Sequence, residues 1–236
     1  MRSKEDRNEG RPQIIGQGLF WAASVLAIIV GALLILCASL LGSSTRDSIT
    51  LPRPQLTVPV SGTAMGLPTA DLNVEVYSDF QCHYCQKFAT TIERQFELAY
   101  VQTGKARFTY KHVVAFGDQS QLAAEASECA AEQNAFWPYH DALMELGLSP
   151  DNSDLTIEKL LSIAQGLGLN VETFRDSLSS HKYKDKVIRD TDEARSLGLT
   201  GIPALFINGV KADNAMLISF DKMKQGIDKA LAEPER

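Results

Sequence analysis

Cysteine is scarce in this chain, with four residues in 236, and only Cys82, Cys85 and Cys129 follow its long apolar run. Three thiols supply one close pair and one spare, which excludes a scaffold held by several disulfide bridges. Basic residues are also too few to balance the acidic ones, because the net charge is -6. Such a chain has no basic field to hold nucleic acid phosphates, so we expect no nucleic acid partner.

Charged residues are absent altogether from Leu19 to Leu41, over a length greater than the roughly 20 residues that cross a bilayer core. This run predicts one transmembrane helix. More basic residues precede it than closely follow it, which places residues 1–18 in the cytoplasm and the rest of the chain in the periplasm or at the cell surface. A cleaved signal peptide is the alternative, although its apolar region is typically only about 7 to 15 residues long. Cys37 is interpreted as a small apolar residue of the span rather than a lipidated one.

Regular elements are not expected in residues 42–68, because proline, serine and threonine are frequent there. This composition predicts an extended tether between the membrane helix and a folded domain, which we expect to occupy residues 69–236. The domain begins with "DLNVEVYSD", a predicted strand that places Val74 and Val76 on one face.

The order of the predicted elements indicates an α/β fold. An amphipathic helix follows the first strand, because Phe88, Ile92 and Phe96 recur at helical spacing, and "ARFTYKHVV" then predicts a second strand. Residues from about 119 to 197 have helical patterns and no convincing strand. The stretch "GIPALFINGV" predicts a short strand and a hairpin turn at Asn208-Gly209, before a last helix.

The sequence "DFQCHYCQKF" places two thiols three residues apart, where the first helix begins. The unpaired N–H groups and the dipole at a helix N-terminus stabilise a thiolate, so an exposed Cys82 is the predicted nucleophile and Cys85 the resolving thiol behind it. His83 between them adds a donor, or a positive charge when protonated. We therefore expect a reversible disulfide between these two cysteines.

Three other interpretations of the cysteines remain open. Half of a zinc site has the same C-x-x-C spacing, but no histidine forms a second compact pair with a cysteine, and His140 shares an apolar helical face. Cys129 lies on an apolar stripe and is interpreted as a core residue, with a regulatory disulfide as the alternative. A tethered, non-catalytic peptide-binding module that merely retains the disulfide is the competing class of function. We expect neither a metal nor a cofactor.

Three separated motifs appear in the order found in one family. They are "YSDFQCHYCQKF" at 77–88, "AAEASECAAEQNAFWPYHDAL" at 123–143 and "TGIPALFING" at 200–209. From about Leu72 to its C-terminus the chain resembles the DsbA-like thiol-disulfide oxidoreductases. The resemblance implies a thioredoxin-like fold with an inserted helical domain, here preceded by the transmembrane helix.

The resemblance also implies roles for individual residues. Pro203 corresponds to the cis-proline that faces the two cysteines, and the backbone of Ile202 would pair with an extended substrate. Gly201 and Tyr84 are expected to contact the substrate beside it. The implied activity is the introduction of disulfides into reduced or unfolded secreted or membrane polypeptides, with isomerase or reductase activity as the alternative. A membrane partner, either a quinone-linked DsbB-like or a vitamin K epoxide reductase-like protein, would reoxidise the pair.

Two positions depart from the family pattern. Many members have proline after the first cysteine, where this chain has His83, so the oxidising strength does not carry over. Many also have a buried acid six residues before that cysteine, where this chain has Val76. Glu75 points to the opposite face of the strand by alternation, which leaves Asp79 or a water as a substitute in proton transfer.

Overall fold

A six-stranded sheet forms the centre of the computed structural model, which describes residues 56–149 and 155–233. The spatial order is β1-β2-β4-β3-β5-β6; β3 and β4 are parallel, and every other neighbouring pair is antiparallel. The strands are β1 (Val60–Ser61), β2 (Ala64–Met65), β3 (Leu72–Ser78), β4 (Ala106–His112), β5 (Ala204–Ile207) and β6 (Val210–Lys211).

The predicted strand faces are confirmed in β3. Val74 and Val76 are fully buried, whereas Glu75 lies on the other face, 3.9 Å from Lys111. In the parallel register Val76 lies opposite Tyr110, so both side chains point to the same buried face of the sheet.

One continuous helix, α1, follows β3 and covers that buried face. It contains two π-helical segments, and its successive parts are His83–Phe88, Ala89–Glu93, Arg94–Phe96 and Glu97–Val101. The predicted apolar side, with Phe88, Ile92 and Phe96, is buried as expected. Each π-helical turn holds more residues than an α-helical turn and shifts the helix phase. Consequently Glu93, Arg94 and Glu97 are also buried, which the 3.6-residue periodicity did not predict.

The predicted helical insertion is confirmed, because the described residues between β4 and β5 form five helices. No strand occurs in its described parts, residues 118–149 and 155–196. Asparagine and threonine side chains cap two of the helices, as is usual at helix N-termini. The helices are α2 (Asp118–Glu132), α3 (Phe136–Gly147), α4 (Ile157–Gly166), α5 (Val171–Ser179) and α6 (Lys184–Ser196).

The C-terminal elements agree with the sequence prediction. Asn208 and Gly209 have φ angles of 49° and 77° and join β5 to β6 in a tight hairpin. A short 3₁₀ helix, Asn214–Leu217, leads into α7 (Phe220–Ala232), whose Met223 and Ile227 are fully buried. The last helix therefore completes the hydrophobic core.

The folded domain begins earlier than the predicted Thr69, so the predicted boundary of the tether was wrong. Strands β1 and β2 form a small hairpin before that residue, and β2 pairs with β4. Gly62, with φ of 58°, permits the turn, and Ala64 and Met65 are buried at the edge of the core. The pairing partner of β2 lies more than 40 residues away, which local composition does not reveal.

The predicted transmembrane helix lies outside the described residues, as does most of the predicted tether. Within residues 56–149 and 155–233, no helix has both the length and the apolar character needed to span a bilayer.

Candidate active site

The cysteine pair lies where β3 ends and α1 begins. Cys82 is the residue immediately before the helix, and its Sγ accepts the backbone N–H of Cys85 at 3.4 Å. The Cys82 carbonyl accepts the N–H of Gln86 at 2.9 Å, which forms the first helical turn. Both cysteines are free thiols. The predicted position of the pair at a helix N-terminus is therefore confirmed.

The expected exposure of Cys82 was wrong, because only 4% of its surface is accessible to solvent. The loop before β5 approaches the thiol, whose Sγ lies 3.7 Å from the carbonyl oxygen of Ile202. The peptide bond between Ile202 and Pro203 is cis, as the resemblance implies. Cys85 is fully buried behind its partner. The loop that covers the pair is 120 residues away in sequence, so local reasoning did not predict this burial.

The pKa values of the two thiols are shifted in opposite directions. A hydrogen bond from the Cys85 thiol, together with the backbone N–H groups of Cys85 and Tyr84, lowers the pKa of Cys82 to about 7 against the opposing effect of burial. Burial raises the pKa of Cys85 well above its ordinary value, and the hydrogen bond and negative charge of Cys82 raise it further. At neutral pH the pair therefore holds its negative charge on Cys82.

The remaining predicted residues lie on two surfaces beside the pair. His83 and Tyr84 are both exposed on the first turn of α1, with ring centroids 6.2 Å apart. Gly201 is exposed, while Ile202 and Pro203 are half-buried in the loop before β5. Residues 201 and 202 also line a groove of about 200 Å³ between that loop, α6 and the end of β4. The structure thus brings the loop to Cys82 but leaves His83 facing solvent.

Asp79 is a buried carboxylate next to the pair. Its two oxygens accept the backbone N–H groups of Gln81 and Ala115, each at 2.8 Å. Burial raises the pKa of Asp79, although these hydrogen bonds oppose the shift, and its negative charge in turn raises the pKa of Cys82. The side chain therefore joins the active-site loop to the segment after β4, a role that its sequence position alone did not reveal.

His140, the histidine considered as a metal ligand, and Cys129, the third thiol, are both buried core residues. Within residues 56–149 and 155–233, no three histidine, cysteine, aspartate or glutamate side chains are arranged to hold a metal ion. His140 is fully buried among aromatic rings, its Nδ1 3.1 Å from Asp141 Oδ1. Cys129 belongs to the hydrophobic core, as predicted, and burial raises its pKa to about 12. Such a thiol is protonated at neutral pH.

A thioredoxin-like sheet with an inserted helical domain and a C-x-x-C pair at a helix N-terminus defines a thiol-disulfide oxidoreductase. The thioredoxin family profile matches residues 59–229. A Bacillus cereus protein named "Probable disulfide bond formation protein D" is 30% identical over 172 residues, which cover 71% of this chain and 78% of the relative. The chain belongs to the DsbA-like family of thiol-disulfide oxidoreductases.

Solved structures have the same fold. The oxidised BdbD of Bacillus subtilis superposes with a TM-score of 0.66 at 24% identity and covers 74% of this chain and 96% of its own. Alpha-DsbA1 of Wolbachia pipientis superposes with a TM-score of 0.64, also at 24% identity, and covers 75% of this chain and 95% of its own.

Proposed function

We propose that this enzyme introduces disulfides into secreted or membrane polypeptides through a Cys82-Cys85 redox pair. The observation that carries the redox role is the pKa of Cys82, about 7, which is lower than the roughly 8.5 of an ordinary cysteine in a substrate. The oxidising direction is supported by the name of the Bacillus cereus relative, "Probable disulfide bond formation protein D". In thiol-disulfide exchange the thiol with the lower pKa leaves faster. A mixed disulfide at Cys82 therefore favours release of the enzyme thiolate and formation of the substrate disulfide.

The reaction begins when a substrate thiolate attacks the Cys82 sulfur of the oxidised pair. The bond between the two enzyme sulfurs breaks, its electron pair goes to Cys85, and a mixed disulfide forms at Cys82. A second substrate thiolate attacks the substrate sulfur of that mixed disulfide and expels the Cys82 thiolate. Two substrate thiols are thereby oxidised to a disulfide, and the enzyme pair is reduced to a dithiol.

Substrate contacts are assigned to the two surfaces beside Cys82. An extended substrate segment pairs with the backbone of Ile202, and Gly201 leaves room for its approach. Pro203 holds that loop against the thiol. Tyr84 offers an exposed ring on the opposite side, and His83 adds a donor or a positive charge near the mixed disulfide.

The proposed location is extracytoplasmic. The charge and hydropathy pattern of the sequence supports a cytoplasmic segment at residues 1–18, a single transmembrane helix at residues 19–41 and a tether after it. A quinone-linked DsbB-like or vitamin K epoxide reductase-like membrane protein reoxidises the pair, and confinement to one membrane raises the effective concentration of the two proteins.

The deciding experiment is an equilibrium titration of the full-length protein with glutathione. We expect a reduction potential nearer the DsbA value of about -120 mV than the thioredoxin value of about -270 mV. A value near thioredoxin contradicts the oxidase and indicates a reductase. A Cys82→Ser variant tests the pair itself, because we expect it to lose oxidation of a reduced polypeptide completely. Activity at the parent level in that variant would refute the mechanism.

A further inference from the structure

A tight turn from Asp79 to Cys82 leads into α1, with the N–H of Cys82 donating to the Asp79 carbonyl oxygen at 3.1 Å. The Asp79 carboxylate accepts the N–H of Ala115 at 2.8 Å. The carbonyl oxygen of Phe80 accepts the side-chain Nε2 of Gln86 at 2.7 Å. Two residues of the turn are therefore held, one by the segment after β4 and one by α1.

Gln81, the residue immediately before Cys82, contacts the helical insertion through its side chain. Gln81 Nε2 donates to Gln119 Oε1 at 2.9 Å, and Gln81 Oε1 accepts the hydroxyl of Ser120 at 3.0 Å. Gln119 and Ser120 both lie in the first turn of α2. Gln81 is half-buried and Ser120 is buried. Both ends of the Gln81 amide are thus bound to the first helix of the insertion.

A third residue fixes the orientation of the Gln81 amide. Gln119 Oε1 also accepts the backbone N–H of Leu155 at 3.1 Å, and a backbone N–H can only donate. The oxygen end of the Gln119 amide therefore faces both groups, so the nitrogen of Gln81 is directed toward it. Leu155 lies just before α4. The turn before the nucleophile is consequently joined to two separate parts of the insertion.

The position of Cys82 decides which groups contact its sulfur. The Sγ atom accepts the N–H of Cys85 at 3.4 Å and lies 3.7 Å from the carbonyl oxygen of Ile202. Hydrogen bonds weaken when the donor and acceptor move apart or out of line, so a small shift of Cys82 weakens the contact with the Cys85 N–H. A thiolate at a helix N-terminus depends on such N–H groups for its stability. A side chain that holds the preceding residue therefore influences the sulfur without touching it.

We propose that Gln81 is a positioning residue, which couples the helical insertion to the nucleophile by holding Cys82 where its sulfur accepts the Cys85 N–H. The inference deepens the proposed function at the same site and rests on the role of Cys82 as the nucleophile. The coupling acts in either redox direction, because Cys82 carries the mixed disulfide in both.

An electrostatic effect through Asp79 has the opposite sign to a positional one. Burial raises the pKa of Asp79, and hydrogen bonds that include one from Ser120 lower it. The Cys85 thiol is the main cause of the low pKa of Cys82, which the negative charge of Asp79 opposes. Removing the Ser120 hydroxyl raises the pKa of Asp79, so electrostatics alone would make Cys82 more acidic. Loss of positioning makes Cys82 less acidic.

The test uses the full-length, reduced protein. The rate of alkylation of Cys82 by iodoacetamide is measured as a function of pH, by mass spectrometry of the peptide that contains it. The variants are Gln81→Ala, Ser120→Ala and the double variant. The free energy of unfolding of each variant is measured in denaturant, and oxidation of a reduced polypeptide is measured beside the alkylation.

Gln133→Ala is the matched control, because Gln133 also joins two elements through both ends of its amide. Its Nε2 donates to the carbonyl oxygen of Asn170 at 3.1 Å, and its Oε1 accepts the N–H of Asn170 at 2.8 Å. Gln133 follows the last residue of α2, about 20 Å along the helix from Gln119. The control therefore removes the same kind of contact far from the nucleophile.

We expect Gln81→Ala and Ser120→Ala each to slow the alkylation of Cys82 about threefold below neutral pH and to raise the pKa at which it titrates. The double variant should be no slower than the slower single variant, because both changes remove the same contact. Gln133→Ala should keep the parent rate while losing a similar amount of stability.

Three results overturn the positioning role of Gln81. They are a Ser120→Ala variant that alkylates faster than the parent, equal slowing in Gln133→Ala, and parent alkylation in Gln81→Ala. In the last case, slower oxidation of the polypeptide would indicate that Gln81 contacts the substrate directly. None of these results affects the proposed function, whose own failure is parent activity in Cys82→Ser.

Discussion

Replacing Cys85 by alanine should raise the pKa of Cys82, because the Cys85 thiol is the largest cause of its present low value. The shift from 9.0 to about 7 corresponds to about 3 kcal/mol of thiolate stabilisation. A hydrogen bond to a charged group contributes about 1.5–3 kcal/mol. Loss of this donor therefore accounts for about one to two pKa units, and we expect a pKa of about 8 to 9 in Cys85→Ala.

Cys85→Ser is the matched control, because its hydroxyl keeps a donor at the same position. We expect the pKa of Cys82 in that variant to stay within about half a unit of the parent value. The assay is the pH dependence of alkylation by iodoacetamide, measured by mass spectrometry on the peptide that contains Cys82. Cys129 does not alkylate in this range, since burial raises its pKa to about 12.

An alanine variant whose Cys82 still titrates near 7 would refute this reasoning. The backbone N–H groups of Tyr84 and Cys85, which also lower the pKa, would then carry the whole shift. The low pKa of Cys82 would in that case be caused by the backbone at the helix N-terminus and not by the Cys85 thiol.

Two further predictions concern stability. Because the pKa of Cys82 is lowered on folding, its contribution to stability is present above the unfolded-state pKa and is lost as the pH falls through about 7. The free energy of unfolding of the reduced form, measured in denaturant relative to the oxidised form, should therefore rise by about 1 kcal/mol from pH 6 to pH 8. A difference that does not change with pH contradicts this. A Cβ at Gly147 would overlap the side chain of Gln86, whose Nε2 donates to the Phe80 carbonyl at 2.7 Å. Gly147→Ala should thus cost about 1–3 kcal/mol, whereas Gly166→Ala, with open space at its Cβ, should not destabilise the protein; equal stabilities of the two variants would contradict the overlap.

The sequence alone was sufficient for the elements whose signals are local. Strand alternation predicted that Val76 faces inward and Glu75 outward, and the Asn208-Gly209 dipeptide predicted the hairpin. The position of Cys82 at a helix start followed from the periodicity after it. Each of these depends on residues within about one helical turn or strand of each other, where propensity and pattern are informative.

Features that depend on distant residues could not be predicted in the same way. The burial of Cys82 requires the loop at Ile202, and the early start of the domain requires the pairing of β2 with β4. The buried charges Glu93 and Arg94 were missed for a different reason, because the π-helical segment of α1 changes the phase that a 3.6-residue pattern assumes. The sequence signal for them was the presence of charged residues beside the apolar stripe, which is ordinary for an exposed helix face.

This chain has Val76 where many family members have a buried acid, and the register of β3 with β4 shows which side chain lies beside that position. That register places Tyr110 opposite Val76, so a neutral phenol lies near Cys85 where many relatives have an acid. An ionised carboxylate at position 76 would add a second negative charge beside the Cys82 thiolate, on which Asp79 already acts. A phenol at this position avoids that repulsion, because burial keeps its pKa high and the group neutral. The low pKa of Cys82 and the absence of the acid are therefore parts of the same electrostatic arrangement.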